Sequence, residues 1–166
     1  DYIVGNETFD KVMLSYFDNW KFKHPNPNDF IRVMEKQTDI ELDWFNEYFA
    51  MTTKYPDYAV DTVMVGSKRK KTKVVLKQNG LMPMPLDVVV TYKNGDKEYY
   101  NIPLRIMRGE KEKEGNINFT VLEDWPWTNP TYELELDSKM KKITRIEIDP
   151  TKRMIDRNLN DNVWEK

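Results

Sequence analysis

The chain of 166 residues contains no cysteine and a single histidine, His24. The absence of cysteine excludes disulfide bonds, thiolate metal sites and a cysteine nucleophile. One imidazole excludes any zinc site that needs two or three histidines from this chain. Long apolar runs are also missing, since no stretch approaches the ~18 residues of a membrane-spanning helix. The net charge of -2 provides no basic field for nucleic acid. The sequence therefore predicts neither a nucleic-acid partner nor a membrane span.

Aromatic and charged side chains are abundant, at 13% and 33% of the residues. Disordered chains are poor in aromatics, so this composition favours a folded protein of one domain or two small ones. The sequence begins at Asp1 rather than at a methionine, and we interpret it as a piece of a longer protein. Missing targeting signals are then uninformative. The compartment is left open, and an extracytoplasmic location of the parent protein is compatible with the sequence.

Residues 1–54 carry apolar side chains at helical spacing and predict three helices. Asn6 is the expected cap of the first helix. Its apolar stripe consists of Phe9, Val12, Met13, Tyr16, Phe17 and Trp20. Asn26 followed by Pro27 predicts the start of the second helix, because proline suits the first helical position. A third helix is expected to begin between residues 39 and 43. It should bury Trp44, Phe45, Tyr48 and Phe49.

After the helical part the sequence alternates between apolar and polar residues, which is typical of strands. Seven strand-like runs lie at 58–65, 72–78, 86–93, 97–104, 117–122, 131–137 and 143–148. Asn94-Gly95 predicts a tight hairpin, since both residues tolerate positive φ. The predicted fold class is therefore α+β, with a helical subdomain over 1–54 and an antiparallel β-sandwich over 55–166. The polar tail of that sandwich has possible docking points at Met154, Ile155, Leu159 and Trp164.

Two features could belong to a site, but a plainer structural interpretation is favoured for each. His24 lies in a helix-to-helix connection, and no serine stands in the G-x-S-x-G context of an activated nucleophile. An independent hydrolase is therefore disfavoured. The basic run Lys68-Arg69-Lys70-Lys71 could contact an anionic surface, but a run of four at a predicted hairpin tip is more typical of a solvated turn.

Two further patterns concern ligands. The spacing Asp156-x-Asn158-x-Asn160-x-Asn162 is similar to the start of a calcium loop, but Asp161 stands where that loop needs glycine. Local hydrogen bonds to the backbone are the favoured interpretation. A second hypothesis is an aromatic platform for a glycan or an extended peptide on the sandwich, for which core packing is the favoured alternative. Its residues would be Tyr99, Tyr100, Trp125 and Trp127.

Residues 5–60 contain five short motifs: Gly5-x-Glu7-x-Phe9, Tyr16-Phe17-x-x-Trp20-Lys21-Phe22-Lys23-His24-Pro25, Asp29-Phe30-Ile31, Leu42-Asp43-Trp44-Phe45 and Thr52-Thr53-x-x-Pro56-Asp57-Tyr58-Ala59-Val60. This series resembles the end of the catalytic domain in the aminopeptidase N-like zinc metallopeptidases, the gluzincin aminopeptidases. The last helices of that family lead through a G-x-P turn into a β-sandwich. Here Lys54-Tyr55-Pro56 replaces the turn. The ending Ile146-Glu147-Ile148-Asp149-Pro150 also resembles the shorter bacterial members.

The resemblance implies a parent enzyme with one zinc bound by H-E-x-x-H and a distant glutamate, acting on peptides with a free amino end. None of these motifs occurs here, so no catalytic, metal-binding or cofactor-binding residue is carried over to this chain. The implied role is a noncatalytic C-terminal part that closes and supports the upstream catalytic domain, which would be its partner. The alternatives are the glycan- or peptide-binding sandwich above and a dimer formed through the apolar helix stripes.

Overall fold

Three α-helices precede all the strands in the computed structural model, which describes residues 1–68, 70–111 and 114–166. The helices are α1 (Asn6–Trp20), α2 (Pro27–Thr38) and α3 (Asp43–Met51). The strands of the described residues are β1 (Tyr58–Val65), β2 (Thr72–Gln78), β3 (Leu86–Tyr92), β4 (Lys97–Ile102), β5 (Phe119–Val121), β6 (Thr131–Leu136), β7 (Ile143–Ile148) and β8 (Val163–Glu165). Short 3-10 turns lie at Arg105–Met107 and Met140–Lys142. The predicted α+β class is confirmed.

The helix starts show one correct and one wrong prediction. At α2, Asn26 Oδ1 accepts a hydrogen bond from the Asp29 amide, and the Asn26 amide donates back to the Asp29 carboxylate, which forms a capping box. At α1 the predicted cap is wrong by one position. Gly5 stands at the cap with φ of 83°, a conformation that glycine adopts without strain. The Asn6 side chain instead accepts a hydrogen bond from Arg153.

The strands form two sheets, with the orders β1-β2-β6 and β5-β4-β3-β7-β8. The predicted hairpin is confirmed, because β3 and β4 pair antiparallel around Gly95, whose φ is 89°. Two details differ from the prediction. β4 and β5 pair in parallel, and the tail contains an eighth strand, β8, which pairs with β7. β5 lies within the predicted run 117–122, whereas β8 has only three residues, too few to show a readable alternation in the sequence.

Buried side chains of the helices and of both sheets belong to one hydrophobic cluster. Val12, Ile31 and Trp44 contribute to it from the three helices, together with Leu76 from one sheet and Val88 from the other. The tail docks through Met154 and Trp164, as predicted, whereas Ile155 and Leu159 are exposed. No helix in the described ranges is long and apolar enough to cross a membrane.

Replacing Asn26 with alanine should lower the free energy of unfolding by about 1 kcal/mol, because the hydrogen bond from the Asp29 amide to Asn26 Oδ1 at the start of α2 is lost. Urea unfolding followed by circular dichroism measures this change. The matched control is Asn26→Ser, which keeps a capping oxygen and should shift stability by less than half as much. Equal losses in the two variants would contradict the assignment of the cap.

Candidate functional site

The sequence-predicted site residues are not brought together. His24 is exposed in the connection between α1 and α2. In the basic run, Arg69 lies outside the described residues. Lys71 is paired with Glu135 at 2.8 Å and with Asp137 at 3.1 Å. The hydrogen bonds from Lys71 and Ser67 lower the pKa of Glu135 to about 2. Lys71, one residue of this run, therefore forms ion pairs with acidic side chains in and next to β6.

The tail pattern that is similar to a calcium loop makes local backbone hydrogen bonds. The Asp156 carboxylate accepts the amides of Tyr58 and Asn158, and Asn158 Oδ1 accepts the amide of Asn160. Burial raises the pKa of Asp156. The bonds from the Asn158 and Asn160 amides are local, as the favoured interpretation predicts, whereas the bond from the Tyr58 amide attaches the tail to the start of β1. The calcium hypothesis itself stays a prediction.

The aromatic platform lacks its central residue. Trp125 is 1% exposed, and its Nε1 donates to the carbonyl of Asn129. Its ring packs at 5.6 Å from Tyr58 and at 5.3 Å from Tyr132. Only Trp127 of the two indoles is exposed. Trp125 is therefore part of the core, and the two tryptophans do not form one exposed face.

The described residues contain one group of carboxylates close enough to hold a metal ion: Glu35, Glu41 and Asp43, whose oxygens lie within 4.8 Å of one another. Glu35 already accepts the amide of Leu42, and the other two are exposed. The zinc that the resemblance implies for the parent does not fit this chain. Its only imidazole, His24, is exposed, and a gluzincin site needs two histidines on one helix face.

The predicted stripe of α1 is only partly covered. Val12 is fully buried, and Tyr16 packs edge-on against Phe30 of α2 with the ring centres 5.1 Å apart. Met13 and Phe17, at the spacing of one helical turn, are 39% and 63% exposed. The structure therefore covers one side of the predicted stripe and leaves the other side to solvent.

A second apolar surface lies beside α3. Phe49, predicted to be buried, is 59% exposed, because its face of the helix lines a groove of about 250 Å³ rather than the core. Its ring stacks on Phe45 with the centres 5.1 Å apart. Further groove residues are Tyr2, Ile3, Tyr55, Met82, Met84, Met154 and Ile155. We call this the α3 groove. The exposed apolar side chains of this groove are Phe49, Tyr55 and Ile155.

Beside this groove lies a buried charge network that sequence reasoning missed. Lys111 contacts Asp87 of β3, and both side chains are almost fully buried. Glu114 lies 3.7 Å from Lys111 and pairs with Arg153 at 2.7 Å. Arg153 reaches the carboxylate of Asp1 at 3.6 Å. The network therefore joins the start of the chain, the sandwich and the tail.

The network changes the titration of its members. Burial raises the pKa of Asp87, although Lys111 and Asn101 partly oppose this. Burial also acts to raise the pKa of Glu114, but the hydrogen bond from Arg153 and the charges of Lys111 and Arg153 outweigh it, so that pKa lies below its ordinary value. Burial and the charge of Arg153 lower the pKa of the Asp1 amino group. The sequence carries one signal for this network, because Asp87 is a lone acidic residue within the apolar run of β3.

No model of a known protein family matches this chain. No curated protein matches it significantly either. The candidate site consequently stands on its own geometry: two apolar surfaces on the helical side and the buried network beside one of them.

Replacing Glu114 with glutamine should flatten the loss of stability in acid. Because its pKa is lower in the folded state, Glu114 contributes stability that is fully present above the ordinary value of 4.5 and is lost as the pH falls through the folded value. The unfolding free energy of the wild type should therefore fall more between about pH 7 and pH 3 than that of the variant.

Urea unfolding at several pH values measures this difference. The control is Glu133→Gln, since Glu133 pairs with Lys73 at the exposed surface of β2 and β6 and its loss should leave the acid profile close to that of the wild type. Parallel profiles for the wild type and Glu114→Gln would contradict the assigned role of Glu114.

Proposed function

We propose that this chain is the noncatalytic C-terminal part of a zinc-dependent, aminopeptidase-like metallopeptidase, and that it closes and supports the upstream catalytic domain. The observation that carries the proposal is the exposed apolar surface on the helical side. Leu14 and Phe17 on α1 are 68% and 63% exposed, and Phe49 and Met51 on α3 are exposed as well. Soluble proteins rarely leave such surfaces without a partner.

The placement of these side chains fits a supporting role. These exposed side chains lie outside the shared hydrophobic core, to which the helices contribute Val12, Ile31 and Trp44. The helices bury one face toward that core and present the other outward. Covering a phenylalanine or methionine contributes about 1.5–3 kcal/mol, so a few contacts suffice to dock a second domain. Of the motifs that resemble the gluzincin family, those before Thr52 lie in the helical part, and the last one runs into β1.

The first prediction concerns the chain alone. It should hydrolyse no aminoacyl amide and should hold no stoichiometric zinc, because its single histidine cannot form the family's site. A chromogenic aminoacyl anilide assay and metal analysis of the purified chain measure both properties. One tightly bound zinc per chain, or turnover that follows the chain through purification, would contradict the proposal.

The second prediction compares the chain with the full-length gene product, which should carry H-E-x-x-H upstream of Asp1. The double variant Met13→Glu and Phe17→Glu should leave the melting temperature of the isolated chain nearly unchanged, since both side chains reach solvent there. In the full-length protein it should lower both the melting temperature and the aminopeptidase activity, because these positions would be covered.

The control is Leu81→Glu, which places one glutamate at an exposed apolar position outside the helices, where the side chain is 70% exposed. It should change neither protein. The proposal fails if the gene product lacks the zinc motif. It also fails if the helix variant leaves the full-length enzyme as stable and as active as the control does.

A further inference from the structure

Lys111 and Asp87 form a buried contact between an amine and a carboxyl group. Their side chains are 1% and 3% exposed, and Lys111 Nζ touches Asp87 Oδ2. The rings of Tyr2 and Phe119 lie over Nζ, with their centres at 4.6 Å and 5.4 Å. The two reacting groups are therefore held together in a site that excludes water, and such positioning is worth a large part of a reaction barrier.

The surroundings of this pair supply the remaining parts of an acyl-transfer site. Asn101 Nδ2 donates a hydrogen bond of 2.8 Å to Asp87 Oδ1, which polarises the carboxyl group and would stabilise negative charge on that oxygen. Glu114 lies 3.7 Å from Nζ, and its bonds to Arg153 fix its position. A nucleophile, an electrophile with its hydrogen-bond donor and a second carboxylate that can carry a proton thus share one buried site.

We propose that Lys111 and Asp87 join in an intramolecular amide bond between Nζ and Cγ. A proton first passes from the ammonium group to Oδ2, which leaves a neutral amine and a protonated carboxyl group. The Nζ–Cγ bond then forms and the Cγ–Oδ2 bond breaks. Oδ2 leaves as water, with one proton from the carboxyl group and one from the amine carried by Glu114. No oxidant or co-reactant is needed, since one water is the only product released.

Burial supports this chemistry, because it raises the pKa of Asp87 and so favours the protonated carboxyl group that the attack requires. The product would also remove the cost of keeping two charges in the core. The bond would tie the segment between β4 and β5 to β3, in the middle of the five-stranded sheet. This inference does not depend on the proposed function.

Intact-mass spectrometry of the purified, denatured chain tests the proposal directly. The wild type should be lighter than its sequence mass by about 18 Da, the mass of one water. After tryptic digestion, the peptides that contain residues 87 and 111 should appear as one branched species. A wild-type chain at its full sequence mass, with the two peptides separate, would overturn the proposal without any variant.

Two variants separate the bond from other losses of water. Lys111→Arg keeps the positive charge but cannot form this amide, so it should have its full sequence mass. Glu114→Gln removes the proton carrier and should form the branched species at least tenfold more slowly or not at all. Circular dichroism checks that both variants fold. A loss of about 18 Da that persists in Lys111→Arg would place the dehydration elsewhere and overturn the assignment.

Discussion

The contact between Lys111 and Asp87 is the constraint on which the arrangement of the chain depends. Two charges in an apolar core are costly unless each is paired and hydrogen-bonded. Here Asn101 donates a hydrogen bond to Asp87, and the ring of Tyr2 lies over the Lys111 amine. Glu114 and Arg153 continue the network toward the surface. Because Tyr2 precedes α1 and Arg153 follows β7, the helices and the tail are fixed relative to the sandwich by the same set of bonds.

This fixed arrangement determines which faces of the helices are buried and which are exposed. One face of each helix reaches the shared core, as Val12, Ile31 and Trp44 show. The opposite faces leave Phe17 and Phe49 to solvent, the latter on the α3 groove. The proposed supporting role rests on this combination of a buried inner face and an apolar outer surface on the helices.

Most of the fold could be predicted from the sequence, because local chemistry determines it. The box between Asn26 and Asp29 and the turn at Gly95 need only neighbouring residues. The parallel pairing of β4 and β5 could not be predicted, since a short edge strand is selected by its neighbours and not by its own pattern. The charge network could not be predicted for the same reason. Lys111 lies in a polar stretch of the sequence, and only the fold places it under the ring of Tyr2. Likewise, periodicity places Phe17 on an apolar stripe but does not say which side of the stripe the chain itself covers.

The two sheets are interleaved along the chain, and this has a consequence for how the protein folds. β1 and β2 belong to one sheet, β3 to β5 to the other, and β6 returns to the first. β2 and β6 therefore pair across more than fifty intervening residues. Such non-local pairing raises the contact order, which slows folding, since the entropy of closing the loop is lost before the contacts that compensate for it are made. The helices can form early, but the sandwich should assemble late and as one cooperative step, so that no cut within it would leave two halves able to fold separately.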